Sequence, residues 1–168
     1  MVIQAVADFV HAFTEQETRT LVVERSERDT TEYLASMAAL AKYCVPGLGL
    51  SFAGRRPIKP ADPWFESEAQ AASELQPRTL FQIEHYRHAA YGDLFRCILS
   101  GTDAGADAIS CCLYVARVDG DLKVIAKYGT DPQGGWANRG GERIDEPGNL
   151  VAVRMFESPA RPDTLPRG

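Results

Sequence analysis

The periodicity of the apolar residues changes partway along the chain, and this change limits the fold more than any other feature. From Val2 to about Arg25, the residues Ile3, Val6, Phe9 or Val10, and Phe13 recur at three- and four-residue spacing. This spacing predicts a long amphipathic helix with a single apolar stripe. A second helix is expected from Asp29, which can cap it while Glu32 reaches back. Leu34, Met37, Leu40, Ala41 and Cys44 would form its buried face, and Pro46-Gly47 would end it. From Thr79 the pattern shortens to that of strands. Thr79–His88, Leu94–Ser100, Ile109–Val118 and Leu122–Tyr128 are rich in β-branched, aromatic and aliphatic residues. The connectors between them carry Gly and Asp, and Asp119-Gly120 between two apolar runs is a strong hairpin signal.

The middle of the chain is less regular. Leu48–Ala53 reads as a short strand weakened by Gly49, 54–63 as a proline-broken segment, and Glu66–Leu75 as a short helix ended by Pro77. Beyond Asp131 the chain turns glycine-rich around Trp136, and Leu150–Phe156 is one more candidate strand. The expected fold class is α+β: a curved, cone-like antiparallel sheet with the N-terminal helices packed on one face. Residues 1–156 would form a single domain and 157–168 a flexible C-terminal tail.

Charge and cysteine usage narrow the function. The 168 residues carry a net charge of −5, and no basic stripe suits the chain to nucleic acid. No apolar run reaches the roughly 18 residues of a membrane span, and the N-terminus lacks a basic leader, so a cytoplasmic protein is expected. Cys44, Cys97, Cys111 and Cys112 show no metal-binding spacing and read as reduced, small hydrophobes. Cys111 and Cys112 should point to opposite faces of one strand. Phosphate-loop, dinucleotide, zinc-protease and nucleophile-elbow motifs are all absent from the sequence, so neither metal nor cofactor is expected.

Two groups of residues stand out as candidate sites. Glu84, Tyr86 and His88 alternate along one strand, which places a carboxylate, a phenol and an imidazole on one face. Such a set can transfer protons in a closed pocket; otherwise that face is open to solvent, with Phe81, Ile83 and His85 turned inward. The second group is suited to binding. Glu15, Glu17, Glu24 and Glu27 give the first helix an acidic run, while Trp64, Phe65 and Trp136 sit on expected loops, where aromatics can anchor an interface.

The order of elements resembles the nuclear-transport-factor-2-like superfamily. Within it, the chain is most similar to the immunity proteins of bacterial polymorphic toxin systems. The resemblance covers roughly Val2 to Tyr128. It is carried by Lys42-Tyr43-Cys44 at the end of the second helix, by Gly54-Arg55-Arg56-Pro57 leading toward Glu66 and Glu68, and by the strand pair Tyr114–Ile125 around its Asp-Gly turn. It implies a binding domain that neutralises a cognate toxin, with the acidic helix meeting a basic partner surface. The fold also hosts enzymes resembling ketosteroid isomerase and scytalone dehydratase, which implies general acid-base catalysis as the alternative. A homodimer formed through the outer sheet face is a third outcome.

Overall fold

The computed structural model describes residues 2–26, 30–53, 63, 67, 70–71, 74–102 and 108–156. Among the described residues three helices precede six strands: α1 Val2–Ser26, α2 Thr30–Ala41, α3 Leu48–Ala53, β1 Leu80–His88, β2 Gly92–Ser100, β3 Ile109–Val118, β4 Asp121–Thr130, β5 Trp136–Gly141 and β6 Asn149–Met155. The strands form one antiparallel sheet in the order β5-β4-β3-β2-β1-β6. The architecture is the expected α+β arrangement. Among the described residues no helix is long and apolar enough to cross a membrane.

Curvature comes from irregular pairing. Each of the five strand pairs has a register shift, and such bulges bend and twist a sheet. The connection between β5 and β6 shows the need for it. These strands are the two edges of the sheet, roughly 24 Å apart if it were flat. The linking segment 142–148 would reach roughly 25 Å only if fully stretched. It instead dips to bury Ile144, so the sheet curls and the segment crosses its face as a strap.

The sheet therefore has a core on each side. Between helices and sheet lie Val6, Val10, Phe13, Leu40 and Phe52 against Ile83, Phe95, Leu99, Leu113 and Val115. Beneath the strap, Ile144 packs with Tyr86, Leu94, Tyr114, Ala126 and Tyr128. Cys111 belongs to the first core and Cys112 to the second, the opposite facing expected of neighbours on a strand. The Asp119-Gly120 turn has φ of 53° and 89° at its two central residues, the conformation that tight hairpins favour.

Three expectations are corrected. Leu48–Ala53 is a helix, not a strand: Leu48 and Phe52 are buried one turn apart while Leu50 is 65% exposed. Gly49 allows the close approach of α3 to α2, because a Cβ there would lie 3.1 Å from the Ala41 backbone. α2 ends at Ala41 rather than at Pro46-Gly47; Leu34 and Ala41 face outward while Met37 and Leu40 are buried, and Cys44 is buried beyond the helix, bridged to Val124. The glycine-rich segment contains a strand, β5, entered through a turn in which the Gly134 N–H donates to the Asp131 carbonyl at 2.8 Å. The helix start at Asp29 and the tail at 157–168 lie outside the described residues.

Candidate functional site

The register assembles a polar network on the sheet face away from the helices. Glu84 on β1 stands opposite Arg96 on β2, and Arg96 opposite Tyr114 on β3. The Tyr86 hydroxyl donates to Glu84 Oε1 at 2.8 Å, and Arg96 Nε donates to the same oxygen. Gln82 Nε2 donates to Oε2 at 2.8 Å, and Arg96 Nη2 donates to the Tyr86 hydroxyl at 3.1 Å. Both carboxylate oxygens are thus engaged. Burial alone would raise the Glu84 pKa, but the bonds from Arg96, Tyr86 and Gln82 hold it below the usual carboxylate range. Burial, with the Glu84 bond, pushes the Tyr86 phenol up to about 12.

Sequence and structure agree that Glu84 and Tyr86 share a face. His88 does not join them in the network. Its Nδ1 accepts the Ala90 and Tyr91 backbone N–H groups at 3.0 and 3.3 Å, which closes the turn into β2. His85 faces the helix side, stacked on Phe95 at 4.6 Å with Nε2 2.8 Å from Asp93 Oδ1.

Arg96 also opens onto a cleft of about 370 Å³ between the sheet face and the strap. Tyr114, Tyr128 and Trp136 line it with Asn138 and strap residues Arg143, Ile144, Asp145 and Pro147. The strap is held in place over it: the Ile144 N–H donates to the Tyr128 hydroxyl at 2.8 Å, and Asn138 Nδ2 to the Glu142 carbonyl at 3.0 Å. Trp136, 37% exposed, begins the edge strand β5 on the cleft wall. The charges around the cleft are paired, Arg96 with Glu84 and Arg143 with Asp145.

The acidic set is divided by the structure. Glu15 is exposed and pairs with Arg19 at 3.7 Å. Glu17 and Glu24, expected on the solvated face, are instead buried at 0% and 1% exposure. Arg78 grips the Glu17 carboxylate with Nε at 2.9 Å and Nη2 at 3.2 Å. Glu27, Trp64 and Phe65 lie outside the described residues.

Sequence reasoning missed Arg78, Arg96, Tyr114 and Tyr128. A local signal existed for Arg96, since β2 alternates Leu94, Arg96 and Ile98 on one face and a charge in that row needs a partner. Among the described residues, no group of three or more His, Cys, Asp or Glu side chains is placed to hold a metal ion. Comparison with known proteins returns no matching family model, no matching curated protein and no matching solved structure.

Proposed function

We propose that the chain is a non-catalytic protein-binding domain, an immunity protein that neutralises a cognate bacterial toxin in the cytoplasm by direct binding. The face we assign to the interface is the sheet face carrying the cleft. One observation carries that assignment: Trp136, 37% exposed, stands on the wall of an aromatic-lined cleft beside Tyr114 and Tyr128. Rigid aromatics around a recess are the surfaces that supply binding anchors.

Support for binding over proton transfer comes from Glu84. A general base needs a free lone pair and a pKa near the working pH. Glu84 is held by three donors and its pKa is kept low, and the Tyr86 phenol is a poor proton donor at about 12. The toxin as partner rests on the likeness of element order to the immunity proteins. Because the charges around the cleft are already paired, the partner contributes an apolar or aromatic side chain.

The test is protection of cells that express the cognate toxin. Trp136→Ala should abolish protection while leaving the fold intact, and Tyr86→Phe should protect normally. Loss of function in a folded Tyr86→Phe variant, with Trp136→Ala unaffected, would direct attention to a substrate instead.

A further inference from the structure

The polar groups that line the cleft are sorted by depth. Arg143 and Asp145 stand at its rim, their side chains 81% and 76% exposed, and pair with each other. Tyr114 and Arg96 form its floor, Tyr114 only 4% exposed and the Arg96 side chain 26%. Both floor groups present donors. A guanidinium has five N–H groups and no acceptor. The bonds from Arg96 to Glu84, Tyr86 and Tyr114 account for three of them, which leaves two N–H groups on a side chain that opens onto the cleft. The Tyr114 hydroxyl takes its bond from Arg96 and can give none back, so its own proton has no acceptor among the described residues. Glu84, which neutralises Arg96, is not part of the lining. The floor is therefore neutral overall and donates.

Three properties select the occupant. The walls at Tyr128 and Trp136 are aromatic and suit a flat ring. The volume, about 370 Å³, sits at the low end of the roughly 300–1,000 Å³ of small-molecule sites, which is room for a single large side chain rather than for a helix or strand. The floor then discriminates among the three aromatic side chains that are enriched at interfaces. Phenylalanine would cover the floor donors and offer them no acceptor, which weakens binding. The indole N–H of tryptophan is itself a donor and would face donors. A phenol offers an oxygen that accepts, and it brings no charge to disturb the Arg96–Glu84 pair. We infer that the cleft receives a tyrosine side chain of the partner protein, its ring against Trp136 and Tyr128 and its hydroxyl oxygen on the N–H groups of Arg96 and the O–H of Tyr114. This deepens the toxin-binding reading and rests on it for the protein that carries the tyrosine, whereas the cleft's preference for a phenol can be measured without any toxin.

Titration of the full chain with N-acetyltyrosinamide and with N-acetylphenylalaninamide, read by NMR at the Ile144 amide and the Trp136 indole, tests it. The tyrosine probe should shift both signals saturably and bind roughly tenfold more tightly than the phenylalanine probe, which leaves the floor donors unpaired. Tyr114→Phe should erase most of that preference, and the phenylalanine probe then reports whether the cleft of the variant is intact. Trp136→Ala, read at Ile144, should weaken both probes alike, since it removes a wall and leaves the floor. Equal binding of the two probes by the wild type overturns the inference, as does the absence of a saturable shift at Ile144 or a preference that survives Tyr114→Phe. A toxin that binds Trp136→Ala as well as it binds the wild type would sink the toxin reading, and a tyrosine preference that still holds would leave the site in place.

Discussion

Arg78 holds Glu17 across 61 residues of sequence, its Nε and Nη2 meeting the two carboxylate oxygens at 2.9 and 3.2 Å. The pair lies between α1 and the segment that leads into β1. Arg78 also donates from Nη1 to the Ser100 carbonyl at 3.0 Å, and the Ser100 hydroxyl accepts the Thr79 N–H at 2.8 Å. One buried ion pair thus fixes the N-terminal helix to the entrance of the sheet. It also shows that this carboxylate serves the fold rather than an interface.

Removing one partner of that pair should be costly. Arg78→Ala leaves the Glu17 charge buried at 0% exposure, which predicts a loss of roughly 3–5 kcal/mol in urea unfolding. The double change Glu17→Leu with Arg78→Met should cost much less than Arg78→Ala, since no uncompensated charge remains. A double variant as unstable as Arg78→Ala would mean that the pair is not what holds α1 there.

The Glu84 network predicts how stability depends on pH. The folded-state pKa of Glu84 lies below its ordinary 4.5. Its stabilising contribution is therefore complete above that value and is lost as pH falls through the depressed folded pKa. Glu84→Gln should be less stable than the wild type at neutral pH and should lose less stability between neutral pH and strong acid. Parallel acid-unfolding curves for the two proteins would contradict the assignment.

Glycines at the two ends of the strap give a graded series. Gly141 and Gly148 have φ of 78° and 106°, and a Cβ on either would lie 2.3 Å from the Ile125 carbonyl oxygen or 2.2 Å from that of Arg87. Gly120 also has positive φ, but with open space around it. Gly120→Ala should cost roughly 1–2 kcal/mol from backbone conformation alone. Gly141→Ala and Gly148→Ala should cost more and should loosen the strap over Tyr128, read as faster hydrogen exchange of the Ile144 amide. Equal losses at all three positions would mean that the strap is not pinned at its ends.

Much of the fold was legible because the physical signals were local. The stripe through Val6, Val10 and Phe13, and the Asp119-Gly120 turn, each determine their element from a few neighbouring residues. Leu48–Ala53 misled because Leu48 and Phe52 fall on one side in either a strand or a helix; the exposure of Leu50, which a strand would place on that same side, marks it as a helix. Strand β5 was hidden by glycines that serve its turn and its close approach to β4. The burial of Glu17 and Glu24 was readable in part: continuing the three-four spacing beyond Phe13 lands on Glu17, Thr20 or Leu21, and Glu24. What could not be read was the partner, since nothing near residue 17 announces an arginine at 78. The cleft depends on the strap recrossing the sheet, a long-range arrangement with no local signature.

The rate at which the toxin complex dissociates tests the binding face most directly, measured for Trp136→Ala beside Glu15→Lys. Trp136→Ala should speed dissociation by roughly 30-fold, the effect of losing about 2 kcal/mol at a buried aromatic anchor. Glu15→Lys, at an exposed side chain on α1, should leave the rate unchanged, and added salt should alter binding little because the charges around the cleft are already paired. An unchanged rate for Trp136→Ala, together with a strong loss of affinity in Glu15→Lys, would place the interface on the helix face and contradict the account.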